Sequence, residues 1–157
     1  MKRPISLLCA ALLLLAQAAC GGKLPDISEY GDTPIEIAGL ADEEFTVTPN
    51  ELAELELTRA SATGRTAKAG TVEATGPTLA AFLESRGAKP EDFSAVRFIA
   101  SDGYRITIHE RTLTGKEVIL SLAPLSESER PLRLLIPGAE SNQWIYAVTR
   151  IEFERGE

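Results

Sequence analysis

The sequence predicts an α+β domain, a mixed or antiparallel β-sheet system carrying two short helices. Three observations predict it. Short apolar or alternating segments recur between positions 34 and 153, with turn-forming residues between many of them. Only two stretches combine helical spacing with a capping or stop signal. No repeat or low-complexity segment interrupts the pattern.

Each element has its own local reason. Ile35, Ile37 and Leu40 open a strand, and residues 44–47 continue as a second across a turn at Ala41, Asp42 and Glu43. Thr48, Pro49, Asn50 and Glu51 then start a helix: Thr48 caps free amides, Pro49 suits the first helical position, and Glu51 can reach back as a capping box. This helix should end near Glu54. Segments 55–63 and 67–75 alternate loosely and read as two strands joined around Gly64 and Arg65. Segment 77–86 is the better helix, with Leu79, Phe82 and Leu83 on one face and Gly87 as its stop. Segment 95–100 is an apolar strand. Ser101, Asp102 and Gly103 form a tight turn, and 104–109 alternates, with Tyr104, Ile106 and Ile108 on one side and Arg105, Thr107 and His109 on the other. Segments 117–122, 132–136 and 145–153 are further strands, Pro131 and Pro137 fixing the ends of the second.

The N-terminus carries an address. Lys2 and Arg3 precede an apolar run, 5–15, too short to span a bilayer as a permanent helix. Ala18 and Ala19 then lead to Cys20, Gly21 and Gly22. The arrangement resembles the lipobox of bacterial lipoproteins, although Gln17 stands where an aliphatic residue is usual. Cys9 is no rival, because bulky Leu7 and Leu8 precede it. The expected organisation is a signal peptide over 1–19, a lipid-anchored flexible tether over 20–33, and one domain over 34–157. The competing reading is an ordinary signal cleaved near Ala19, leaving Cys20 a free thiol. Gly21 rather than Asp implies outer-membrane sorting in a double-membrane bacterium, and a cell-surface position in a single-membrane one.

About 138 residues would remain after cleavage, enough for one domain with a core. Cleavage removes Lys2 and Arg3 but no acid, taking the net charge from −7 to −9. Nucleic acid and anionic lipid heads are therefore not expected partners. Cys20 would be the sole mature cysteine and His109 the sole histidine, so no disulfide, thiolate metal site or histidine cluster is expected. No nucleophile elbow, phosphate loop or specific carboxylate pair is present.

Three stretches carry a family resemblance. Residues 77–83 before Gly87 look like a "G-v-x-L-x-x-L-L-x-x-x-G" helix, and 96–104 (VRFIASDGY) like a "v-x-f-x-a-x-D-G-Y" hairpin. Residues 131–138 (PLRLLIPG) with 144–153 (WIYAVTRIEF) look like a "P-l-R-l-v-v-P-G … w-v-k-w-l-x-r-I-e-v" ending. In order and spacing the set resembles the oxidoreductase molybdopterin-binding domain of the sulfite-oxidase type. The resemblance implies that scaffold, and it implies a metal-binding cysteine within 55–76. That region offers Thr58, Ser61, Thr63 and Thr66 but no cysteine, and a neutral hydroxyl is a poor substitute for a soft thiolate. The lysine that helps hold the cofactor's phosphate in the family aligns with Tyr146. No cofactor is therefore expected, with molybdopterin the disfavoured alternative.

The candidate ligand-binding residues are Arg59, Ser61, Arg65, Tyr104, Arg133 and Trp144, with Cys20 for lipid attachment. Arg59 and Arg65 flank a hydroxyl-rich run that could retain an anion contact or be a solvated loop. Arg133, inside an apolar strand, is read either as an anion contact in a pocket or, preferred, as an arginine paired with an acid such as Glu152. Tyr104 and Trp144 are aromatics near turns, each a core-edge anchor before it is a ligand platform. His109 is expected to be solvated. The expected function is a membrane-tethered extracytoplasmic binding or accessory module, without catalysis, whose partner is a small molecule or an envelope protein. The alternative is a molybdopterin-dependent oxidoreductase with an unusual ligand set.

Overall fold

The computed structural model describes residues 25–63 and 70–156. Nine strands and three short α-helices make up the described residues, with 3-10 turns between them. Strands β1 (Ile35–Ala38), β2 (Phe45–Val47), β5 (Phe93–Ala100), β6 (Arg105–His109) and β9 (Val148–Arg155) form one sheet in the order β2-β1-β9-β5-β6. Within it β1 and β9 run parallel and every other pair antiparallel, so the sheet is mixed, as expected. Two ribbons complete the domain: β3 (Thr58–Thr63) with β4 (Thr71–Gly76), and β7 (Ile119–Ser121) with β8 (Arg133–Leu135).

The register explains the alternation. Ile37, Ile151, Phe98 and Ile106 stand side by side across four strands, and Phe153, Val96 and Ile108 form a second row. Both rows are buried. A period of two then puts Glu36, Arg150, Glu152 and Arg97 on the opposite, wetter face. There Arg150 pairs with Glu36, Glu44 and Glu152, and Arg97 also pairs with Glu152.

This network carries a pH prediction. The hydrogen bond from Arg150 holds the Glu44 carboxyl below its ordinary value, and Arg150 first, with help from Arg97, does the same for Glu152 against the effect of burial. Groups depressed in the folded state bind protons more tightly when unfolded. Their contribution is therefore full above about pH 4.5 and fades as pH falls through their lowered folded values. Arg150→Met should flatten this acid limb and leave three carboxylates without their shared cation. Urea unfolding midpoints, followed from neutral to acid pH in both proteins, check it.

Helix α1 (Pro49–Ala53) starts as predicted: Thr48 Oγ1 accepts the Glu51 N–H at 3.3 Å, and the Glu51 carboxylate accepts the Thr48 N–H at 2.8 Å. Helix α2 (Leu79–Ser85) buries Leu79, Phe82 and Leu83, again as predicted. Gly87 ends it at φ 73°, a conformation costly for other residues, while Ala88 N–H closes back on Leu83 O. Helix α3 (Glu110–Gly115) is a third helix where two were expected. It buries only Leu113, so no apolar periodicity marks it in the sequence.

The remaining differences have local causes. The last strand begins at Val148 rather than 145, because Ala147 adopts φ 54° and breaks the extended run; Ile145 instead bridges Leu134. Residues 27–33, placed in the tether by their Gly- and Asp-rich composition, are packed on the domain. Tyr30 is buried, and its hydroxyl donates to Leu122 O at 2.7 Å. Arg130 lies 4.9 Å from its ring centroid and pairs with Glu29. Burial pushes the Tyr30 phenol above its ordinary pKa, with Arg130 acting in the opposite sense. Tyr30→Phe should lower stability by about 1 kcal/mol, the usual net worth of a buried hydrogen bond, as read by urea denaturation.

Candidate functional site

Three remote segments meet at one end of the central sheet. The first is the β5–β6 turn, where Gly103 N–H donates to Ala100 O and Tyr104 N–H to Asp102 Oδ1 at 2.9 Å. The second is the loop that carries Ser128 and Glu129. The third leads from the 3-10 turn Ser141–Gln143 into β9. Ala147 ties them together: its N–H donates to Glu129 O at 3.0 Å, and its carbonyl accepts the Ser101 N–H at 2.9 Å.

Between these segments lies an open groove of about 560 Å³. Asp102 and Tyr104 line it from the turn, Ser128 from the loop, and Asn142, Trp144 and Tyr146 from the third segment. Trp144 is mostly buried, with its indole N–H donating to Ile136 O at 3.2 Å. Tyr104 and Tyr146 are each 54% exposed. Among the described residues, Asp102 is the one charged residue that lines the groove, and no Lys, Arg or His does. The groove can stack planar or apolar faces on its tyrosines and hydrogen-bond to neutral polar groups, but it offers an anion no counter-charge.

The structure brings together two of the sequence-predicted residues, Tyr104 and Trp144. Arg59 and Ser61 are exposed on β3 and do not line the groove. Arg65 and Cys20 lie outside the described residues. Arg133 is buried and lines no groove wall; of its two readings the paired one holds, but with a different acid. Its Nη1 meets Glu129 Oε2 at 3.3 Å, whereas Glu152 is engaged by Arg97 and Arg150 on the other face of the sheet. Glu129 Oε2 also accepts the Leu125 N–H at 2.9 Å, so Arg133 positions the loop that supplies Ser128 and the carbonyl bound by Ala147. His109 is exposed at the start of α3, as expected.

The residues missed were Asp102, Ser128, Asn142 and Tyr146. Two had a signal: Asp102 in the tight turn just before Tyr104, and Tyr146 as an aromatic residue in the last apolar run. For a molybdenum cofactor the donor that matters is a soft thiolate. The sequence has no cysteine between 34 and 157, and among the described residues no three of His, Cys, Asp or Glu are grouped to hold a metal ion.

Fold and groove together define an α+β domain with a mixed five-stranded sheet and an uncharged-to-acidic recess at one end of that sheet. No family model matches the chain, and no curated protein matches it. Among solved structures it is similar to the sulfane dehydrogenase SoxCD from Paracoccus pantotrophus, with a TM-score of 0.63 and 20% identity over 79% of this chain. The chain spans 38% of that protein's length, and at this identity the likeness is one of fold.

Proposed function

We propose that the chain is a membrane-tethered extracytoplasmic lipoprotein whose domain is a sulfite-oxidase-type scaffold turned to binding rather than molybdenum redox chemistry. One observation carries the reading: among the described residues the open groove presents two half-exposed tyrosines and no cation, on a domain whose sequence from 34 to 157 has no cysteine. The fold shared with part of SoxCD supports the scaffold. The tyrosine at 146, where the family pattern expects a phosphate-holding lysine, supports loss of the anionic cofactor. The ligand is then a small molecule or an envelope protein, and like charge disfavours nucleic acid.

Cys20 is the proposed point of lipid attachment, and a single acyl chain would hold the protein only reversibly. Cys20→Ala should move the protein from the membrane fraction to the soluble fraction and abolish incorporation of labelled fatty acid. Retention of both membrane association and label in the variant contradicts the tether. The fold likeness favours a second reading, a molybdopterin-dependent oxidoreductase with an unusual ligand set, and metal content separates the two.

A further inference from the structure

We infer that the groove between the Asp102–Tyr104 turn and the Trp144–Ala147 segment binds a short uncharged oligosaccharide. The inference rests on reading the domain as a binding module and names the class of ligand it takes.

The first support is where the molecule spends its exposed hydrophobic surface. Among the described residues, the large hydrophobic side chains left exposed are Tyr104, Tyr146 and Leu125. Both tyrosines line the groove, and Leu125 sits on the loop that supplies its third wall, held to Glu129 by its N–H. A tyrosine offers an apolar ring face that packs on the C–H face of a sugar ring, with a hydroxyl at its edge for hydrogen bonding.

The second support is the polar complement. Asp102, Ser128 and Asn142 add carboxylate, hydroxyl and amide to the aromatic walls, a mixed set of donors and acceptors that suits a ligand covered in hydroxyls. Phosphate, sulfate and acidic sugars would meet Asp102 with no compensating cation among the described lining residues. A small organic cation could pair with Asp102, but it would leave Ser128 and Asn142 unused. The volume, about 560 Å³, falls within the usual range for small-ligand sites of roughly 300–1,000 Å³.

The third support is rigidity. Ala147 is the one non-glycine residue at positive φ among the described residues, and hydrogen bonds fix it on both sides to the other two groove segments. Strained backbone held this way is characteristic of ligand sites, where it fixes the walls before binding.

The sequence contains one tryptophan, Trp144, so indole fluorescence reports on the groove. The purified chain would be titrated with maltotriose, cellotriose, chitotriose and mannotriose, with sialyllactose as the anionic probe and tetramethylammonium chloride as the cationic one. At least one neutral trisaccharide should give a saturable change at millimolar concentration or below. Tyr104→Ala and Tyr146→Ala should each weaken it about tenfold, the loss of one stacking contact, while thermal unfolding stays unchanged because both side chains are half exposed. No saturable change with any neutral sugar overturns the proposal, as does binding indifferent to both tyrosines. A response to tetramethylammonium alone also overturns it, yet leaves the groove as a binding place. If no probe binds a folded, molybdenum-free protein, the saccharide inference fails while the metal-free reading stands.

Discussion

Gly76→Ala should cost about 3 kcal/mol or more and shift the urea midpoint further than any surface substitution. A Cβ at this position would collide with the backbone carbonyl of Leu120. Neither backbone can give way. Leu120 N–H donates to Pro77 O at 2.9 Å, and Leu122 N–H donates to Thr75 O at 2.8 Å, so β4 and β7 are stitched together on both sides of the contact. The Thr75 N–H is bound in turn by the buried Ser121 hydroxyl at 3.2 Å. Moving the strands apart to admit a methyl group breaks these bonds within a core that includes Ile119, Leu120 and Leu122. Gly87→Ala is the matched control. Its Cβ would meet open space, and only the left-handed backbone at φ 73° opposes it, a penalty of about 1–2 kcal/mol. Equal effects at the two positions would show that the β4–β7 crossing is looser than described.

Arg133→Met should lower stability by about 3–5 kcal/mol. Both charges of the Arg133–Glu129 pair are largely withdrawn from solvent, with side chains 5% and 15% exposed. Removing the guanidinium leaves the Glu129 carboxylate, among the described residues, with the Leu125 N–H. The double variant Arg133→Met with Glu129→Gln should recover much of the loss, because the unpaired buried charge disappears with it. Denaturant unfolding of the single and double variants measures the coupling. Trp144 emission should change in Arg133→Met, since the Glu129 carbonyl holds Ala147 and with it one wall of the groove. Additive losses would mean that the pair is not coupled.

Strands β1, β5 and β6 were legible because apolar residues recur in them at a spacing of two, whereas β7 and β8 are short runs buried throughout. Ile35 and Ile37, Val96 and Phe98, and Ile106 and Ile108 each repeat at a spacing of two, and each pair is buried on one face of the sheet. The start of α1 was legible from four residues, because a capping box is a local device. Helix α3 was not, since a helix with one buried side chain leaves no period to detect. Tyr30 was hidden by composition: one aromatic anchor among Gly, Asp and Pro reads as linker until its partner, Leu122 O, is known. The partner of Arg133 was misjudged for the same reason, as nothing in the sequence tells which acid faces it across the fold. Half of the groove was likewise out of reach. Tyr104 and Trp144 could be suspected from their turns, but Ser128 and Asn142 become site residues only when three remote segments converge on Ala147.

The lack of any cysteine between 34 and 157, taken with the family resemblance, is the hinge of the proposed function. Its most direct test is the molybdenum content of the folded chain, made with its signal intact in a host that synthesises the cofactor and extracted from the membrane. A folded protein with no stoichiometric molybdenum is the predicted result; one molybdenum per chain would contradict the reading of this domain as a binding module.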